Sequence, residues 1–164
     1  MSMNIKPVIF AGFCFFNAIG IAQANDLDGI RLAAEQEKCT ISHNGVNEPA
    51  IALTSSAYDL PSVDQSEVIG LLRKFLSIGC SVHAEDSSGT SPINVSILIG
   101  EPKLLEFLLQ SGSDPYAVIR NAKPWANGKN SFEFAELVYR VKKEQRWKEV
   151  VKVLEDYKAL NYSK

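Results

Sequence analysis

The chain has little of what most hydrolases and metalloenzymes need. Its 164 residues contain two histidines, His43 and His83, and three cysteines, Cys14, Cys39 and Cys80. It has no Gly-x-Ser-x-Gly elbow, no glycine-rich phosphate loop and no His-Glu-x-x-His run, so the usual sequence signatures of serine hydrolases, nucleotide loops and zinc peptidases are missing. Carboxylates are plentiful. The close pairs Glu133/Glu136 and Glu155/Asp156, however, fall on stretches that read as solvated helix faces, and a lone carboxylate pair is weak evidence for acid–base chemistry. No catalytic residue, cofactor or metal is assigned. No tract is compositionally extreme, which argues against disorder. With 46% hydrophobic and 22% charged residues, the composition is that of one ordinary globular domain.

Long apolar runs are also scarce. Only residues 7–21 form one, and it falls short of the roughly 20 residues of a spanning helix. The leading stretch MSMNIKPVIFAGFCFFNAIGIAQA has one cation, Lys6, then this apolar run, then Ala22-Gln23-Ala24. Such a sequence is expected to be a secretory signal peptide covering residues 1–24, cut before Asn25. Phe13, directly before Cys14, is too bulky for a lipoprotein signal. Residues 25–164 are then expected to be a single domain, periplasmic or secreted, with no membrane contact after cleavage.

Charge is unevenly spread. Residues 25–119 hold 5 Lys/Arg against 13 Asp/Glu, net −8, and residues 120–164 hold 11 against 6, net +5. Such asymmetry steers charged partners or simply dresses solvated helix faces. An exported chain with no aromatic-interleaved basic patch is not expected to bind nucleic acid.

The stretch DSSGTSPINVSILIG, residues 86–100, opens as a turn and closes as a helix. Asp86 to Gly89 permit a tight turn. Ser91 and Pro92 suit a helix start, with the Ser91 hydroxyl expected to accept from free amides and Pro92 fitting the first helical position. Gly100 ends this helix, and Pro102 opens the next. PKLLEFLLQSG then puts Leu104, Leu105, Leu108 and Leu109 on one stripe, with Gly112 as the stop. The unit recurs. VIGLLRKFLSIGCSVHAED upstream matches LLEFLLQSGSDPYAV, with Gly79 and Gly112 33 residues apart, and GKNSFEFA downstream matches GTSPINVS. RWKEVVKVLEDY follows as an amphipathic helix. Gly89 and Gly128 are 39 residues apart, so the second loop carries about six extra residues within RNAKPWANGKN.

A period near 33 built from a turn and two helices resembles the ankyrin-repeat family. Ser91-Pro92-Ile93-Asn94-Val95-Ser96 is similar to that family's Thr-Pro-Leu-His-x-Ala, with Asn94 for His and Ser96 for Ala. The match is best over 65–119, weaker over 120–160 and degenerate over 25–64. In the last region DLDGIRLAAEQ reads as a leading helix, NEPAIALTSSA as a first helix and YDLPSVDQ as a long loop. The expected fold is all-α, a short solenoid of stacked helix-turn-helix repeats with hairpin loops. The resemblance implies a module that binds another protein.

Removing residues 1–24 leaves Cys39 and Cys80, and an even pair in an exported chain suggests a disulfide. Equivalent positions in stacked helices lie about 8–10 Å apart, beyond the roughly 7 Å that a bridge spans, so Cys39 must sit out of register within KCTISHNG. Cys39, His43, Cys80 and His83 as a zinc site is the alternative. The candidate partner-binding residues are Glu85, Asp86 and Ser87 on one hairpin tip, and Tyr116, Arg120, Lys123 and Trp125 on the longer one. An exposed aromatic beside cations suits a binding anchor; the competing reading has Trp125 packed under the insertion. The function expected is an exported interaction module, in its most specific form an immunity protein that neutralises a periplasm-acting toxin. The alternatives are an accessory or chaperone factor for an exported enzyme, and a hydrolytic enzyme.

Overall fold

The computed structural model describes residues 27–43, 45–120 and 123–162; the expected signal peptide lies outside them. The chain runs α1 (Asp28–Glu35), β1 (Thr40–His43), β2 (Val46–Pro49), α2 (Ala50–Ser56), a 3₁₀ turn (Ala57–Asp59), α3 (Gln65–Ser77), α4 (Pro92–Ile99), α5 (Pro102–Gln110), α6 (Ser131–Lys142) and α7 (Gln145–Tyr162). Helices α2/α3, α4/α5 and α6/α7 pack as pairs. α4 lies against both α2 and α6, α5 against α7, and α1 against α2 and α3.

Helix α4 explains this arrangement. Of its eight residues only Leu98 is not buried. A helix that is apolar all round needs neighbours on every side. The middle pair divides its side chains accordingly. Val95, Ile99, Leu104 and Leu108 join a core with Val68, Leu72 and Phe75 of α3. Ile93, Ile97, Leu105 and Leu109 join a second core with Phe134, Trp147, Val150 and Leu154. Trp147 is fully buried, and its indole donates to the Ile97 carbonyl at 3.0 Å.

The same backbone hydrogen bonds recur 33 residues apart. Cys80 N donates to Phe75 O, and Ser113 N to Leu108 O; Gly79 N donates to Leu76 O, and Gly112 N to Leu109 O. Gly79 and Gly112 have φ of +91° and +93°, the left-handed stop that glycine accepts without a Cβ penalty. The next loop repeats too. His83 N donates to the Ser81 side chain and Tyr116 N to that of Asp114, while Ala84 N bonds Ser81 O and Ala117 N bonds Asp114 O.

Local starts and stops follow from side chains. Asp64 caps α3 by accepting from Ser66 N at 2.8 Å. Asn130 and Glu133 cap α6 reciprocally, each side chain accepting from the other's amide. Ser91 makes no capping bond of the kind expected; its Oγ accepts from the Asn94 amide at 2.9 Å instead.

The all-α expectation fails at residues 40–49. β1 and β2 pair antiparallel, His43 opposite Val46 and Thr40 opposite Pro49. The β-branched Thr40, Ile41 and Val46 favour strands, and Asn-Gly is a strong two-residue hairpin signal; Gly45 sits at φ +79°. Pro49 ends the strand and α2 starts after it. The hairpin takes Cys39 out of any helical register, which brings its Cα to 5.2 Å from that of Cys80, and the disulfide forms across a separation of 41 residues. A loop of that length is worth about 3–4 kcal/mol in the chain-entropy account. The Arg31 guanidinium also ties α1 to α3 through Glu67 at 2.6 Å.

At the rim formed by the short turns, Arg146 lies 3.5 Å from Asp59, 3.9 Å from Glu101 and 3.9 Å from Glu144. It thus joins the connections of all three helix pairs, and its guanidinium stands 4.1 Å from the Trp147 ring centroid. Burial and the neighbouring Asp59 push the Glu101 carboxyl above its ordinary range, while Arg146 opposes them. The loop surface lies elsewhere, so this rim clamps the pairs together.

Gly100 sits under that clamp at φ +73°, and a Cβ there would meet Trp147 Cε2 at 2.8 Å. Gly100→Ala combines a left-handed strain of about 1–3 kcal/mol with overpacking of about 1–3 kcal/mol. Chemical denaturation is expected to show a loss of about 2–5 kcal/mol. A loss under about 0.5 kcal/mol, the scale of a plain surface substitution, would mean that the indole is not held against this turn.

Candidate functional site

Two loops project from the amino ends of α4 and α6. The first, residues 81–90, is organised by one carboxylate. Asp86 Oδ1 accepts from Ser88 N at 2.9 Å, Ser88 Oγ at 2.6 Å and Thr90 N at 2.8 Å. Asp86 N donates to Thr90 O, Gly89 N donates to Asp86 O, and Gly89 turns the chain at φ +76°. Ser87 is anchored sideways. Its amide and its hydroxyl both donate to the Glu48 carboxylate on β2, the former at 2.9 Å.

The second loop, residues 114–130, is longer. Ile119 N donates to Lys129 O at 2.8 Å and Gly128 N to Ile119 O at 2.9 Å, closing its neck. The Ile119–Lys129 bond stands 33 residues on from Asp86 at one end and 39 on from Thr90 at the other, so the six extra residues lie beyond this neck. The Phe132 and Phe134 side chains of α6 support the loop. Tyr116 rests on Phe132 with centroids 5.0 Å apart, and Trp125 stacks on Phe134 at 5.7 Å.

Between the loops opens a groove of about 370 Å³, lined by residues 82, 83, 85, 91, 93, 94 and 114, together with 117–119. Val82, Ile93 and Ile119 are buried and give it an apolar floor. Asn94 fixes the polar end: its Oδ1 accepts from Ser131 Oγ at 3.0 Å, and its amide donates to Ser91. This bridge joins the starts of α4 and α6 and so sets the spacing of the loops they carry.

The candidates named from sequence separate into three groups. Glu85 is exposed and lines the groove. Asp86 and Ser87 have side chains engaged within the protein, as above. Tyr116, Arg120 and Trp125 are exposed on the second loop, and Lys123 is partly buried. Trp125 is 39% exposed and stacks on the buried Phe134, so it packs in part as the competing reading expected. Sequence reasoning missed Asp114 and Val118, which wall the groove; the 33-residue offset of Asp114 from Ser81 marked its loop but not its direction. It also missed Glu48, because the hairpin that carries it was not expected.

The disulfide takes both sulfurs, so the four-ligand zinc alternative loses two donors. Among the described residues no three of His, Cys, Asp and Glu cluster as a metal site. None of the described helices is long and apolar enough to cross a membrane. No protein-family model matches the chain, and a search of curated proteins finds no similar sequence.

Removing the Trp125 ring loses an aromatic pair worth about 0.5–1.5 kcal/mol and some apolar burial. Trp125→Ala is expected to lower Tm by about 3–8 °C, with Trp125→Phe recovering most of it. No shift in calorimetry would show that the ring is not seated on Phe134.

Proposed function

We propose that the chain is an exported, ankyrin-repeat-like module that binds another protein through its two loops and the groove between them. The observation that carries this reading is the 33-residue recurrence of helix stops and loop hydrogen bonds. Such units stack edge to edge and leave their loops as one continuous binding surface. The extra length of the second loop is placed on that surface, where it adds reach. Exposed Tyr116, Val118 and Trp125 supply apolar and aromatic area of the kind that anchors interfaces. The Cys39–Cys80 disulfide suits an oxidising compartment and supports export, as does the leading sequence.

Within this class, an immunity protein is the specific form we favour, acting by covering a toxin's active site in the periplasm. A protruding loop beside a groove is suited to that task, because it can enter a concave partner while the groove receives a side chain in return. Service to an exported enzyme as an accessory or chaperone factor would use the same surface.

The test is capture from periplasmic extract on immobilised protein, with two variants. Val118 is 51% exposed at the groove wall, and Leu160 is 71% exposed near the far end of α7. Val118→Asp is expected to weaken retention of a captured protein at least about tenfold, the loss of a modest interface anchor, with Tm unchanged. Leu160→Asp is expected to retain it. Equal retention by both variants, or no protein held above blank resin, contradicts the reading.

A further inference from the structure

We infer that the groove between the loops receives a lysine or arginine side chain from the partner. This rests on the interaction reading and adds the chemistry of the ligand. The groove's volume, about 370 Å³, lies near the lower end for ligand sites. It has room for one long side chain with the backbone that carries it. Val82, Ile93 and Ile119 form the floor, and Ala117 and Val118 the wall. Lysine and arginine lay their methylene stems along apolar surface of this kind and keep the charged head at its edge.

That edge is acidic. Glu85 and Asp114 both line the groove, and no lysine or arginine does. Among the described residues neither carboxylate belongs to an ion pair. Asp114 uses Oδ1 to accept from Tyr116 N at 2.8 Å, which fixes the carboxylate and leaves its second oxygen for a donor. The polar groups deeper in are committed to one another through the Ser131–Asn94–Ser91 chain.

One feature opposes a cation: the amino end of α4 reaches the groove and carries a partial positive charge of about half an elementary unit. Two full negative charges outweigh it. An acidic partner segment would meet like charges. A purely apolar one would desolvate two carboxylates and leave them unpaired, which is costly. A basic side chain satisfies the floor and the edge together.

The test uses protein expressed from the full chain and three acetylated, amidated pentapeptides. They differ only at a central residue between two leucines, which is lysine, norleucine or glutamate. Amide chemical shifts follow binding residue by residue. The lysine peptide is expected to shift residues 82–94 and 114–119 and to bind about tenfold tighter than the norleucine peptide, two partly exposed ion pairs each being worth a few-fold. Added salt should shrink that preference. The double variant Glu85→Gln, Asp114→Asn keeps the oxygen that Tyr116 N needs, so its spectrum elsewhere should match the parent; its lysine preference should vanish. Equal binding of the norleucine or glutamate peptide, or a preference that survives the double variant, overturns the inference while leaving an interaction groove. Binding of none of the three also overturns it, and the Val118→Asp capture experiment then judges the wider reading by itself.

Discussion

Eight residues, Pro92–Ile99, have almost no polar face, and a helix of that kind has no stable existence at a protein surface. The chain must therefore place a helix on each flank, and α2 and α6 fill these positions. Their partners α3 and α7 bring the two cores with them. Burial alone would permit many angles and spacings. Direction comes from a few polar devices: the Trp147 indole on the Ile97 carbonyl, the Asn94–Ser131 bridge and the Arg146 cluster at the opposite rim. Because Asn94 and Ser131 stand at the starts of α4 and α6, the packing of the helices and the spacing of the loops are one constraint. The groove follows from it.

The edges of this arrangement are weaker by nature. Among the described residues neither α1 nor α7 is flanked by helices on both sides as α4 is, and each is secured in another way. α1 is joined to α3 by the Arg31–Glu67 ion pair, and a disulfide fastens the hairpin that follows it. α7 is 18 residues long and buries Trp147, Val150 and Leu154 against the middle pair. The protein thus combines a rigid centre with stapled ends. The first loop is held in shape by Asp86, which accepts three hydrogen bonds within its own tip.

Much of this was legible in the sequence where a residue has few options. Gly79, Gly100 and Gly112 announce helix ends because left-handed turns favour glycine, and Pro92 and Pro102 announce starts. The spacing of 33 and the excess of six came from glycine positions alone. Residues 40–49 were not legible as a hairpin while the surrounding pattern read as helix; Asn44-Gly45 carried the signal, but two four-residue strands are too short to show a clear alternation. Direction was the other gap. Asp86 and Asp114 each accept from the amide two residues on, yet Asp86 also accepts from Ser88 Oγ and Thr90 N within its tip while Asp114 lines the groove. Sequence places a residue on a loop, whereas only the local hydrogen bonds decide which way its side chain turns. Trp125 was ambiguous for the same reason, and the structure resolves it as a ring with one face seated on Phe134 and the rest exposed.

Central burial of α4 is the claim on which the loops, the groove and the proposed recognition all depend, and native-state hydrogen exchange addresses it most directly. If α4 is held from both flanks, its amides can open only when the whole domain unfolds, since local opening would expose apolar surface on every face. The amides of residues 95–99 are expected to exchange at the slowest rate in the protein and to share the denaturant dependence of global unfolding, while α1 and the last turns of α7 exchange earlier. Exchange of α4 before α1 or α7, or with a shallow denaturant dependence of its own, would contradict a centre supported on both sides.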